Sequence, residues 1–193
     1  MRQYFRQEVM KTIVTLERVA SDENLAQMVE DLAKVCCTAL RSAKKILLAG
    51  NGGSAADAQH LAGELVSRLN FDRPGLAAFA LTTDSSVLTA IGNDYGYEKV
   101  FARQIDAVGS AGDVFIGIST SGRSQNILRA LEESRRKGLV TVGFTGTPGG
   151  DLPDLCDYCI RVPSSETPKI QEAHIMIGHV LCGLIECEMF RGD

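Results

Sequence analysis

The sequence predicts an α/β domain: a doubly wound parallel sheet of five strands between layers of helices, with a helical hairpin in front. Three observations carry this. Short apolar runs alternate with stretches of helical period from residue 46 onward, the pattern of strand–helix–strand units. The runs are apolar at successive rather than alternate positions, as strands covered on both faces require. Two of the strand-to-helix joints are short and built from Gly, Ser, Thr and Asn, at the carboxyl end of a strand where open parallel sheets bind ligands.

In chain order, residues 2–19 and 22–42 space apolar residues helically (Val9, Ile13, Leu16; then Leu25, Met28, Leu32, Val35, Cys36, Leu40), with Ser21-Asp22 between them as a helix start. Ile46-Leu47-Leu48-Ala49 is the first strand. It stops at Gly50-Asn51-Gly52-Gly53-Ser54, and an alanine-rich helix carrying His60 and Glu64 follows. Arg73-Pro74-Gly75 is a turn, LAAFAL (76–81) a strand buried on both faces, and Asp84-Ser85-Ser86 caps a short helix to Ile91. Gly92 to Gly96 reads as a break, with a helix over 97–108 after it. Residues 113–118 form the third strand, ending in Ser119-Thr120-Ser121-Gly122-Arg123-Ser124 before an amphipathic helix that stops at Gly138. LVTVGFTG (139–146) and CDYCIRV (156–162) complete the five strands, and a last long helix spans 167–190. With no repeat or linker, one domain over 1–193 is expected, divided into the hairpin (1–42) and the α/β core (43–193).

A net charge of -4 over 193 residues gives no global field for nucleic acid or an anionic membrane. No stretch reads as a signal peptide or as a membrane span, so a cytoplasmic protein is expected. Six cysteines stand among apolar neighbours, as reduced core thiols do. Cys156-x-x-Cys159 lies in a strand-like alternation without a second CxxC, which points to packing rather than to metal or redox chemistry.

The chemistry-bearing residues cluster. The Gly50–Ser54 turn aims backbone N–H groups and a helix N-terminus at one point, which favours an anion, usually a phosphate. Gly50-x-Gly52-x-x-Ala55 is a permitted dinucleotide fingerprint, but the acidic residue expected about 20 positions on is missing, and no Gly-Lys-Ser/Thr of a P-loop follows. Ser119, Thr120, Ser121 and Ser124 offer four hydroxyls at a second helix start, able to donate to phosphate oxygens or to cap the helix. His60 and Glu64 stand one turn apart on one helical face. On the last helix Gln171 and His179 are eight residues apart, about 80° around the axis, and share a face; His174, three from Gln171, competes for that role. A His and a carboxylate on one helix with a His on another make a workable ligand set for a divalent ion such as zinc.

The segments GNGGSAADAQHLAGEL, ALTTDSSVLTAIGNDYGYEKVF, STSGRS and TPKIQEAHIMIGHVLCGLIE resemble the phosphoheptose isomerases of the sugar isomerase (SIS) domain family, over essentially the whole chain. The resemblance implies a flavodoxin-like SIS fold and a homotetramer with active sites at subunit interfaces and the hairpin serving oligomerisation. It implies conversion of D-sedoheptulose 7-phosphate to D-glycero-D-manno-heptose 7-phosphate through an enediolate, the first step towards ADP-heptose for lipopolysaccharide. It assigns one Zn2+ per subunit to His60, Glu64, Gln171 and His179, and the acid/base work to Glu64 and His179. Sugar-phosphate contacts fall to Asn51, Gly52, Gly53, Glu64, Asn93, Asp94, Ser119, Thr120, Ser121, Ser124 and Gln171. The alternative is a non-catalytic SIS regulator that binds the replication initiator or senses a sugar phosphate. Glu64 and His179, which such a regulator is not expected to keep, favour the enzyme.

Overall fold

The computed structural model describes residues 1–191. Five parallel strands run in the order β2-β1-β3-β4-β5: β1 Ile46–Gly50, β2 Ala78–Ala80, β3 Val114–Ile118, β4 Val140–Gly146 and β5 Tyr158–Val162. Seven α-helices surround them among the described residues: α1 Arg2–Ala20, α2 Glu23–Arg41, α3 Gly53–Val66, α4 Ser85–Tyr95, α5 Ala102–Val108, α6 Gln125–Arg136 and α7 Thr167–Phe190. Because side chains alternate across a strand, β1 sends Ile46 and Leu48 into one core with α2, α3 and α7, and Leu47 and Ala49 into a second with α4, α5 and α6. The chain leaves β1 towards β2 on one side and β3 on the other, so the crevice where the winding reverses lies between β1 and β3.

Most expected elements form within a residue or two of the sequence reading, and Asp22 caps α2 by accepting from the Leu25 amide at 3.0 Å. Three readings are corrected. The strand expected over 76–81 shrinks to Ala78–Ala80 at the sheet edge, where only β1 pairs with it and Phe79 is 55% exposed. The break expected at Gly92 falls instead at Gly96, whose φ of +92° ends α4, so Asn93 and Asp94 belong to that helix. The helix expected over 97–108 is a 3-10 turn at Tyr97–Lys99 followed by α5.

Two helices differ in burial from what their patterns suggest. The apolar stripe of α1 does not face the core: Phe5, Val9, Met10, Ile13 and Val14 are exposed, while Thr15 and Val19 are buried. Helix α7 has the length and hydropathy of a membrane span, a test that a buried core helix also passes. Here it packs against α1, α2, α3, β4 and β5, with Ile170, Ala173, Ile177, Leu181 and Ile185 in the core.

A buried ion pair ties α7 to the end of α3. Glu186 and Arg73 are 0% and 2% exposed in their side chains, and Arg73 Nε donates to Glu186 Oε1 at 3.2 Å. Glu186 also accepts from the Leu69 and Asn70 amides at 3.0 and 2.8 Å, and Arg73 donates to the carbonyls of Glu64 and Leu65 at 2.8 and 2.6 Å. Burial by itself would raise the Glu186 carboxyl, but the two amides and the guanidinium outweigh it and hold it below its ordinary value. A depressed carboxyl contributes stability that is complete above the unfolded value, near 4.5, and is lost as pH falls through the folded value. Glu186→Ala leaves a buried guanidinium without its anion and is expected to lower stability by about 3–5 kcal/mol. The check is a drop in Tm at neutral pH, with the gap from the parent protein narrowing as pH falls below that value.

Candidate active site

Three helix N-termini converge at the carboxyl edge of the sheet. A cleft of about 310 Å3 is lined by Gly52, Gly53 and Ser54 at the start of α3, by Ser119, Thr120 and Ser124 before α6, and by Thr167 at the start of α7. None of these helices has a side-chain cap: Gly52, Ser124 and Glu166 occupy the cap positions without bonding the first-turn amides. Ser124 is engaged elsewhere, accepting from the Ser119 hydroxyl at 2.9 Å, so this Ser-rich loop does not serve as an ordinary cap. Among the described residues the amides of Gly52, Thr120 and Ser121 donate to no carbonyl. Three positive helix ends and the unbonded amides of the two loops suit an anion the size of a phosphate.

Backbone packing holds the second loop in place. Gly122 has a φ of +67°, and a Cβ on it would stand 1.7 Å from the Gly149 carbonyl oxygen, so only glycine lets the 148–150 turn press against the loop. The Asp151 amide then donates to the Gly122 carbonyl at 3.1 Å. Ser121 is turned away from the cleft wall, its hydroxyl accepting from the Arg123 amide at 3.3 Å.

The second part of the site lies farther along α3. His60 Nε2 is 3.2 Å from Glu64 Oε1 and 2.7 Å from His179 Nε2 on α7, and the three ligand atoms lie within 4.8 Å of one another. Close helix contact makes this possible: a Cβ at Gly178 would come within 2.6 Å of Leu61, so glycine there lets α7 approach α3 and sets His179 beside His60. The two imidazole rings meet edge to face with centroids 4.9 Å apart. Asp57, one turn before His60, keeps Oδ2 buried without a partner, and burial pushes its carboxyl up against the opposing pull of His60.

The expected residues divide between the two parts. His60, Glu64 and His179 meet; Gln171 lies about 12 Å before His179 along α7, its amide against Gly53 in the cleft. Gln171 and His179 do share the side of α7 that faces α3. His174 is excluded from it: it is 1% exposed, bonds the Thr145 carbonyl at 3.2 Å and packs on Phe144, and burial holds its imidazole down to about 4. Asn51 lines the cleft, whereas Asn93 and Asp94 sit exposed at the end of α4, bonded to each other at 2.8 Å and away from the cleft wall. All six cysteines are free, and burial pushes the Cys156 thiol up to about 12 and raises that of Cys159, as packed and unreactive thiols require.

Sequence reading missed Thr167 in the cleft wall and Tyr97 and Asn126 beside Asn51. Thr167 follows from the start of α7 lying beside two other helix starts, which no local pattern reveals. Asn126 had a signal: an amide in the first turn of α6, immediately before the apolar Ile127 and Leu128.

The family model described as the SIS domain matches residues 9–146. A phosphoheptose isomerase of Aneurinibacillus thermoaerophilus is 56% identical over 191 residues, covering 99% of this chain and 96% of that protein. The structure of a phosphoheptose isomerase from Neisseria gonorrhoeae superposes with a TM-score of 0.90 at 38% identity, covering 96% of this chain and 98% of the other. One from Francisella tularensis gives 0.91 at 35% identity, covering 95% and 96%.

Proposed function

The chain belongs to the SIS domain family, and we infer that the triangle of His60, Glu64 and His179 is the acid/base centre of its reaction. Its relatives named phosphoheptose isomerase give the activity as isomerisation of a heptose phosphate, and the reaction in this proposal is the conversion of D-sedoheptulose 7-phosphate to D-glycero-D-manno-heptose 7-phosphate. The observation that carries the site assignment is the pairing of an imidazole–carboxylate cluster with an anion cleft on the same two helices, α3 and α7.

In this reading the substrate phosphate lies in the cleft, held by the N–H groups of the three helix starts, the hydroxyls of Ser119, Thr120 and Ser124, and Gln171. Asn93 and Asp94 take the sugar hydroxyls from the rim, and Ser121 contributes through its backbone amide. The ketose end reaches along α3 to Glu64. Ketose-to-aldose conversion removes a proton from C1, passes through an enediolate and returns a proton to C2, while the hydroxyl proton moves from O1 to O2. Glu64 takes and returns the carbon-bound proton; its Oε2 has no bond among the described residues, Oε1 being the atom beside His60. His179 moves the proton between the two oxygens.

Zinc fits the donor set. Two imidazole Nε2 atoms and a carboxylate oxygen already crowd together, and ligands of a tetrahedral zinc stand about 3.3 Å apart, close to the 2.7 and 3.2 Å seen here. Gln171, the fourth residue of the expected set, keeps its amide against Gly53 in the cleft, so the triangle brings three of the four expected ligands together. A bound ion would polarise the substrate carbonyl and stabilise negative charge developing on its oxygen.

A homotetramer with sites at subunit interfaces completes the proposal. Its support is the exposed apolar face of α1 and the open side of the triangle, where the His60 side chain is 48% exposed.

Glu64→Gln is expected to leave a folded protein of unchanged size with turnover of sedoheptulose 7-phosphate reduced by about 10²–10⁴-fold; near-normal turnover, followed by NMR detection of the aldose, removes Glu64 from the role of base. Chelator is expected to lower activity or Tm and added zinc to restore it, and indifference to both takes the ion out of the proposal. Light scattering is expected to give four chains per particle, and the double variant Phe5→Glu, Ile13→Glu a smaller species; a monomeric parent protein overturns the interface.

A further inference from the structure

A reciprocal pair of amides closes the crevice between β1 and β3. Asn51, directly after β1, donates through Nδ2 to Asn126 Oδ1 at 2.9 Å, and Asn126 Nδ2 donates back to Asn51 Oδ1 at 2.8 Å. The Tyr97 hydroxyl, arriving from the turn after Gly96, donates to the same Asn51 Oδ1 at 3.2 Å. Asn126 is 3% exposed, and Asn51 is its side-chain partner. An amide oxygen has two lone pairs and an amide nitrogen two hydrogens. Both lone pairs of Asn51 are therefore taken, along with one of its hydrogens. What Asn51 has left for a ligand in the adjoining cleft is a single N–H.

We propose that Asn126 and Tyr97 are positioning residues of the isomerase, which lock the Asn51 side chain as a donor to a phosphate or sugar oxygen. Tyr97 also ties the segment bearing Asn93 and Asp94 to the rim of the cleft. The proposal rests on the isomerase reading for its substrate, and on the cleft alone for its anion. An amide pair suits this place because it orients one donor without adding negative charge beside an anion; a carboxylate at either position would repel the ligand. Burying an amide is costly unless it is bonded, and here each amide satisfies the other. Removing the phenolic hydroxyl frees one lone pair and lets the Asn51 amide turn. The loss falls on binding, because this pair borders the anion turn and not the carbons on which Glu64 acts.

The test compares Tyr97→Phe, Asn126→Ala and the double variant in steady-state kinetics with sedoheptulose 7-phosphate and in calorimetric binding of inorganic phosphate. Tyr97→Phe is expected to raise KM and the phosphate Kd by about 3–10-fold, the worth of one hydrogen bond, with kcat close to that of the parent protein. Its Tm is expected to be unmoved, since Tyr97 is 63% exposed. Asn126→Ala raises both constants further and lowers Tm. The double variant loses less binding than the sum of the two single losses, because both residues act through the one Asn51 side chain. Unchanged KM and Kd in Tyr97→Phe, a fall in kcat at constant KM, or additive losses in the double variant overturn the proposal. A parent protein that binds phosphate without turning over the sugar phosphate overturns the isomerase reading instead, and the phosphate arm then judges the pairing by itself.

Discussion

Every strand of the sheet runs the same way, and this constraint organises the rest of the molecule. Parallel strands put all strand-to-helix joints on one edge, so α3, α6 and α7 all begin there with their positive ends. A capped start would contribute about 0.5–2 kcal/mol to each helix, yet no side chain at Gly52, Ser124 or Glu166 supplies one. Stability forgone at the three helix starts is available as binding for an anion. The doubly wound order then places the crevice between β1 and β3, where the loops after both strands reach the same ligand.

Reactivity is a matter of how two helices meet. Helix α3 carries His60 and Glu64 away from its anion-binding start, and α7 brings Gln171 to the cleft and His179 to the triangle. One pair of helices thereby sets the distance between the anion cleft and the triangle of His60, Glu64 and His179. The buried Arg73–Glu186 pair fastens the far end of the same two helices, with Arg73 donating to the carbonyl of Glu64 itself. Such a pair contributes less to net stability than to geometry, since both charges lose water on burial. Here that geometry is the placing of the Glu64 turn.

Helix α1 stands apart from this economy. It packs on α7, where Thr12 bonds Glu172 and Lys169, buries Thr15 and Val19, and turns its larger apolar residues outward. The same side chains that give the helix its period are thus surplus to the protomer core, as those of an assembly surface are.

Local pattern determined much of this protein. Apolar runs and helical periods located all five strands and the long helices, and the glycine and hydroxyl turns marked the loops that line the cleft, because each is a property of a few neighbouring residues. The pairing of His60 with Glu64 was equally legible, since residues four apart on a helix share a face. Other features depended on distant contacts. Which histidine of α7 joins the site was undecidable from period alone; packing settled it by burying His174 under β4 and leaving His179 against α3. The edge position of β2 cut short a strand that its residues favour, and Gly96 rather than Gly92 ended α4 because only there does the backbone turn to positive φ. Thr167 reaches the cleft, and Tyr97 and Asn126 reach Asn51 on its wall, from segments far apart in the chain. A sequence states what each segment can form, whereas the meeting of their ends belongs to the tertiary fold.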